Sequence, residues 1–195
     1  MCYFLFVYLF YEEDALLEKY VKKGGMGMTQ KVLVQDADFI GKNKDHLKWM
    51  QYALKLAERS RDEGEVPVGA VIIKDEKLIA EGWNQPIDRN DATAHAEIMA
   101  IRAAGEVLNN YRLPDTTLYV TLEPCTMCVG AIIHARIANV IFGAPDPKTG
   151  AAGSVVDVFS ADCHNHQVRV NGGVMMNDCG QILREFFRER RASKD

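Results

Sequence analysis

Thr117-Leu-Tyr-Val-Thr-Leu-Glu-Pro-Cys-Thr-Met-Cys-Val-Gly-Ala-Ile-Ile-His-Ala-Arg136 is the stretch from which the fold can be read. Its first six residues alternate as a strand does, and Cys125 to Arg136 carries the apolar spacing of a helix. Asn139 to Phe142 then reads as a second short strand. Strand, helix and strand in close succession predict a layered α/β arrangement, with helices covering a sheet.

Working back from Thr117, a helix is predicted from about His95 to Ala104 with a stop near Gly105. Val68 to Ile73 reads as a buried strand and Leu78 to Trp83 as its hairpin partner across Lys74-Asp-Glu-Lys77. From Leu47, apolar residues recur at Met50, Leu54 and Ala57, the spacing of an amphipathic helix, with Gly64 as its stop. Forward of Phe142, a Gly/Pro-rich loop spans 143–153, and a short helix is predicted near Val155 to Phe159. A strand at Val168 to Val170 and a helix from about Asp178 to Arg191 follow. Together these elements predict a three-layer α/β/α domain over residues 43–195.

Residues 1–42 differ from the rest. Met1 to Tyr11 is strongly apolar but too short to span a bilayer as a helix, and it has neither a basic lead nor a small-residue cleavage site. Gly24-Gly25-Met26-Gly27 reads as a flexible break. The segment is expected to be an appendage outside the globular fold, with an upstream start and true initiation at Met26 or Met28. An interfacial anchor and an extra structured element are the alternatives.

The chain has 195 residues, 48% of them hydrophobic and 26% charged, the balance of a soluble globular protein with one buried core. Its net charge of −4 argues against a broad phosphate-binding surface but leaves room for a local basic patch, and the terminal helix holds one. Five cysteines, an odd number, fit a reducing cytoplasm better than a disulfide framework.

The chemistry lies in two segments, Ala94-His95-Ala96-Glu97 and Glu123-Pro124-Cys125-Thr126-Met127-Cys128. His95, Cys125 and Cys128 supply three ligands for zinc, leaving the fourth position for water, as in a catalytic site. Both segments sit at predicted helix starts, where N–H groups and the helix dipole favour thiolate. Metal coordination brings the pKa of a bound water to roughly 7. Glu97 follows His95 by two positions and so does not share its face of a helix, which suits a proton shuttle approaching that water from the side. Alone, Cys-x-x-Cys is equally a redox pair or half of a structural zinc site; its conjunction with His-x-Glu points to catalysis. His134 reads as a packed or surface polar residue, Cys163, His164 and His166 as loop residues, and Cys179 as packing in the last helix.

On these motifs the chain resembles the cytidine deaminase superfamily and, within it, the bacterial tRNA-specific adenosine deaminases. The resemblance runs from about His46 to Arg191. It includes Glu65-Val-Pro-Val-Gly-Ala-Val71, Glu81-Gly-Trp-Asn84, Asn110-Tyr-Arg-Leu113, Lys148-Thr-Gly-Ala-Ala-Gly-Ser154 and Phe186-Phe-Arg-Glu-Arg-Arg191. The last two stretches point to the tRNA branch. The resemblance implies a five-stranded mixed sheet and a homodimer with one Zn²⁺ per subunit that grips a tRNA anticodon loop, with no membrane involved. It implies that Asn84 hydrogen-bonds the target base, that Asp146 lies beside its ribose and Lys148 near the phosphates, and that Phe187 and Arg190 meet neighbouring nucleotides. Pro145 and Pro147 stiffen the loop around Asp146. The expected reaction is hydrolysis of adenosine to inosine at the wobble position, in an arginine tRNA, by zinc-bound hydroxide with Glu97 as proton shuttle. The rivals are a deaminase of a free base or nucleoside and a non-catalytic zinc module. Without a family match, the terminal helix reads equally as a solvated amphipathic helix.

Overall fold

The computed structural model describes residues 44–193. The expectations for residues 1–42 lie outside that range. The order of elements is α1 (Lys44–Asp62), β1 (Gly69–Lys74), β2 (Lys77–Trp83), α2 (Ala96–Leu108), β3 (Thr117–Leu122), α3 (Thr126–His134), β4 (Asn139–Ala144), β5 (Arg169–Gly172) and α4 (Met176–Ala192). The five strands form one sheet in the order β2-β1-β3-β4-β5. β1 pairs antiparallel with both β2 and β3, whereas β3, β4 and β5 run parallel. The mixed sheet expected from the resemblance is therefore present.

Strand alternation explains the three layers. Ala70 and Ile72, Leu118 and Val120, Val140 and Phe142 share a core with Ala96, Ala100 and Ala104 of α2 and with Val129, Ile132 and Ile133 of α3. Val71, Ile73, Tyr119 and Ile141 join Trp49, Met50, Ala53 and Leu56 of α1 and Cys179 of α4 in a second core. Because both faces of the inner strands are covered, β1 is apolar along nearly its whole length instead of alternating.

Close approach of helix to sheet depends on small residues. A Cβ on Gly82 would fall 2.2 Å from the carbonyl oxygen of Ala96, so only glycine lets β2 lie directly under the start of α2.

Three expectations need correction. The helix predicted to stop near Gly105 continues to Leu108 and ends at Asn109, which adopts the left-handed conformation at φ 48°. A glycine weakens a helix without ending it, and Asn supplies the αL break nearly as well. Residues 155–159 form no helix: the amides of Val155 and Val156 both turn back to the carbonyl of Gly150, and Val158 N–H donates to Ala151. That closes a compact loop and leaves no amides in helical register. β4 also extends past Phe142 to Ala144, so the loop begins later than predicted. Gly64, by contrast, stops α1 as expected, at φ 81°, with Glu65 N–H closing on Ser60. Among the described residues, no helix is long and apolar enough to cross a membrane.

Candidate active site

His95 and Cys125 occupy equivalent places, each the extended residue immediately before a helix: His95 at φ −72°, ψ 154° before α2, and Cys125 at φ −77°, ψ 170° before α3. Cys128 is the third residue of α3 and fully buried. Two helix N-termini therefore converge on the same point, and their dipoles favour negative charge there. The start of α2 is held from below by Asn84. Its Oδ1 accepts the Ala96 N–H at 2.9 Å and its Nδ2 donates to the Val66 carbonyl at 3.1 Å. Gln85 N–H bonds Ala94 O at 2.9 Å, which fixes the chain just ahead of His95.

His95 Nδ1 lies 3.7 Å from Cys125 Sγ and 3.6 Å from Cys128 Sγ, and the three donor atoms are all within 4.8 Å of one another. A tetrahedral ion bonded to nitrogen at ~2.0–2.1 Å and to sulfur at ~2.3 Å separates those donors by ~3.6 Å, so the side chains fit such an ion without rearrangement. Their protonation fits as well. The hydrogen bond from Cys128 pulls the Cys125 thiol down to about 4, while that same contact and burial push Cys128 above the ordinary thiol range. Two sulfurs and an imidazole nitrogen within 4.8 Å of one another are a donor set suited to a borderline-soft cation.

Glu97 is 4% exposed, and its carboxyl group lies against Cys128. Burial raises its pKa above the usual carboxylate range, and His95 offsets part of that rise. His95 is raised chiefly by its contact with Cys125. With His95 and Cys125 half-buried and Cys128 and Glu97 enclosed, the donor set is open on one side and closed behind. The structure thus brings together His95, Glu97, Cys125 and Cys128, with Asn84 one hydrogen bond away.

Asp146 and Lys148 stand on the neighbouring loop. Asp146 folds back on its own turn, its Oδ1 accepting Lys148 N–H at 2.9 Å and its Oδ2 accepting Thr149 Oγ1–H at 2.7 Å. Burial lowers the Lys148 pKa, and Asp146 acts against that. Phe187 is half-buried and packs edge-on to Phe186, with ring centroids 5.4 Å apart. Arg190 donates to the Gly64 carbonyl and lies 5.2 Å from the Phe186 ring. Phe187 also packs against the core between the sheet and α3, and Arg190 is tied to the turn that follows α1. His134 is exposed in the last turn of α3. His164 and His166 each bond a backbone carbonyl, of Val158 and Ile137, and Cys163 is exposed, so these are loop residues. Cys179 is buried, which pushes its thiol up to about 12.

Two carboxylates escaped the sequence reading. Glu65 Oε1 accepts the N–H groups of Ile87 and Asp88 at 2.8 and 2.9 Å. Glu123, 2% exposed, accepts the N–H groups of Asp146, Ala152 and Ser154 and the Ser154 hydroxyl. For Glu123 the available signal was a charged residue between a buried strand and a metal motif, followed by a Gly-rich loop whose amides need acceptors.

A family model described as MafB19-like deaminase matches residues 44–191. A tRNA-specific adenosine deaminase of Haemophilus influenzae is 51% identical over 148 residues, covering 75% of this chain and 86% of the relative. Among solved structures, one from a study of A-to-I editing by tRNA:A34 deaminases at the wobble position of transfer RNA matches with a TM-score of 0.68 and 46% identity. It covers 70% of this chain and 99% of that one. A guanine deaminase from Bacillus subtilis matches with a TM-score of 0.50 and 46% identity, covering 51% of this chain and 64% of that one. The match to the Haemophilus influenzae relative extends over 148 residues at 51% identity, about the length of the described fold, and on that ground the chain belongs to the tRNA-specific adenosine deaminases.

Proposed function

We propose that this protein hydrolyses adenosine to inosine at the wobble position of a tRNA anticodon, with an arginine tRNA as substrate. The observation that carries the reading is the His95–Cys125–Cys128 donor set with the buried Glu97 carboxyl against it, in a chain that is 51% identical to a tRNA-specific adenosine deaminase. His95, Cys125 and Cys128 would hold one Zn²⁺. When bound, zinc supplies the Lewis acidity that makes water nucleophilic at neutral pH. Glu97 does the proton work: its carboxylate takes a proton from the attacking water and passes it to N1 of the adenine. A second transfer through the same group protonates the amine leaving C6, so that adenosine and water give inosine and ammonia.

Asn84 positions rather than reacts. One amide hydrogen goes to Val66 and one oxygen lone pair to Ala96 N–H, leaving a donor and an acceptor position of the amide for the edge of the base. Asp146 beside the ribose, Lys148 at the phosphates, and Phe187 and Arg190 at neighbouring nucleotides complete the proposed RNA contacts, in a homodimeric cytoplasmic enzyme. Residues 43–195 form the deaminase domain and residues 1–42 an appendage to it. An anticodon loop suits this chemistry because its bases are already unpaired and splay out at little cost.

The likeness to a guanine deaminase supports a second reading, deamination of a free purine. Incubating the zinc-loaded protein with an arginine tRNA bearing an unmodified wobble adenosine, and in parallel with guanine, separates the two. Conversion of that adenosine, read by sequencing, is the expected result. Ammonia release from guanine with an unchanged tRNA overturns it.

A further inference from the structure

Residues 146–154 are tied to the metal-donor segment at several points, and most of the ties end on one side chain. Glu123 Oε2 accepts Asp146 N–H at 3.0 Å and the Ser154 hydroxyl; Oε1 accepts Ala152 N–H at 2.9 Å and Ser154 N–H at 3.0 Å. The backbone adds Ala151 N–H to Pro124 O at 2.9 Å and a bridge between Cys125 and Gly150. The packing leaves no slack. A Cβ on Gly150 would fall 2.6 Å from Glu123 Oε2 and 2.5 Å from Asp146 O. This carboxylate is not spent on the metal donors. Both its oxygens face the loop, and the residue after next in the chain is the donor Cys125.

We propose that Glu123 is a positioning residue, whose carboxylate sets the loop carrying Asp146 and Lys148 in register with the metal donors, so that polynucleotide held by the loop presents its base to the site. The inference rests on the tRNA reading above. Four donors converge on two carboxylate oxygens, so no neutral side chain of the same shape replaces Glu123. In Glu123→Gln the amide nitrogen would face N–H and O–H groups, at least one buried donor would lose its acceptor, and the loop would shift away from Pro124.

The test is steady-state and single-turnover deamination of an arginine-tRNA anticodon stem-loop by full-length, zinc-loaded wild type and Glu123→Gln, with zinc content measured for both. A residue that serves stability alone reduces the active fraction, which lowers kcat and leaves KM unchanged. A positioning residue moves KM. The expected result is stoichiometric zinc, a KM raised about ten- to a hundredfold, and a saturated single-turnover rate within about threefold of wild type. An unchanged KM, with or without loss of zinc, overturns the inference. If Glu123→Gln fails to fold, Ser154→Ala removes one of the four donors and leaves the carboxylate; a smaller rise in KM supports the inference, and an unchanged KM overturns it. A wild type inactive on the stem-loop overturns the tRNA reading and this inference together, whereas an active wild type matched by Glu123→Gln overturns this inference alone.

Discussion

Glu97 is the second residue of α2, and the fold gives it the environment a proton carrier needs: enclosed, beside the metal donors, with its pKa raised by burial. Glu97→Gln keeps the shape and removes the transferable proton. Turnover is expected to fall by at least ~10²–10⁴-fold, the usual worth of general acid–base catalysis, while metal content stays the same. Single-turnover assay together with metal analysis checks this, and near-wild-type activity in metal-replete protein refutes the assignment. Cys128→Ala is expected to lose metal, activity and stability together, because metal binding is partly folding energy. Retention of one zinc per chain in that variant would remove Cys128 from the ligand set. That His95, Glu97, Cys125 and Cys128 come together was legible in the sequence, because donor chemistry is tied to residue type and to local spacing at helix starts. Glu65 and Glu123 were not, because what they bind is backbone. Their partners at 87–88 and 146–154 are recognisable as such only once the chain has folded.

At the scale of elements, type was easier to read than extent. β3 runs over Thr117–Leu122 as expected, since it alternates and is bounded by Asp115 and Pro124. The helix after His95 was cut short because glycine is a common stop signal. The actual stop is the αL Asn109, and Gly105 is a helical residue like its neighbours. This has a measurable consequence. A Cβ on Gly105 would meet nothing closer than Asn110 O at 3.6 Å, an ordinary contact. Gly105→Ala is therefore expected to stabilise the protein by ~0.5–1 kcal/mol, the usual difference between the two residues within a helix. Thermal unfolding should show a rise of a few degrees with activity unchanged. A fall in Tm would mean that the helix frays before Gly105. The helix expected at 155–159 failed for the opposite reason: composition allowed it, but the amides of Val155 and Val156 are claimed by Gly150 in a loop organised from Glu123.

At the scale of the whole molecule, a net charge of −4 must be reconciled with a polyanionic substrate, and any attraction to RNA has to be local. The end of α4 is one place where it can arise, yet its basic residues also have work within the fold. Arg190 donates to the Gly64 carbonyl, and Arg61 of α1 pairs with Glu185 and Glu189 of α4. A loss of activity on deleting this helix would therefore prove little. Two single variants discriminate better, because stacking and phosphate contact depend differently on salt. If Phe187 stacks on a nucleotide, Phe187→Ala weakens binding of the anticodon stem-loop by ~1–3 kcal/mol at every salt concentration. If Arg190 meets a phosphate, Arg190→Ala flattens the slope of log affinity against log salt by about one unit. Both variants lose packing or a hydrogen bond inside the protein, so the titrations belong well below each variant's own Tm. An internal defect shared by the two would weaken binding in parallel and leave both slopes at the wild-type value. A displaced but parallel line for Phe187→Ala and a flatter line for Arg190→Ala would assign the helix to the RNA. Lines that coincide with wild type would confine α4 to holding α1 and the sheet together, and recognition would then have to come from the loop at 146–154.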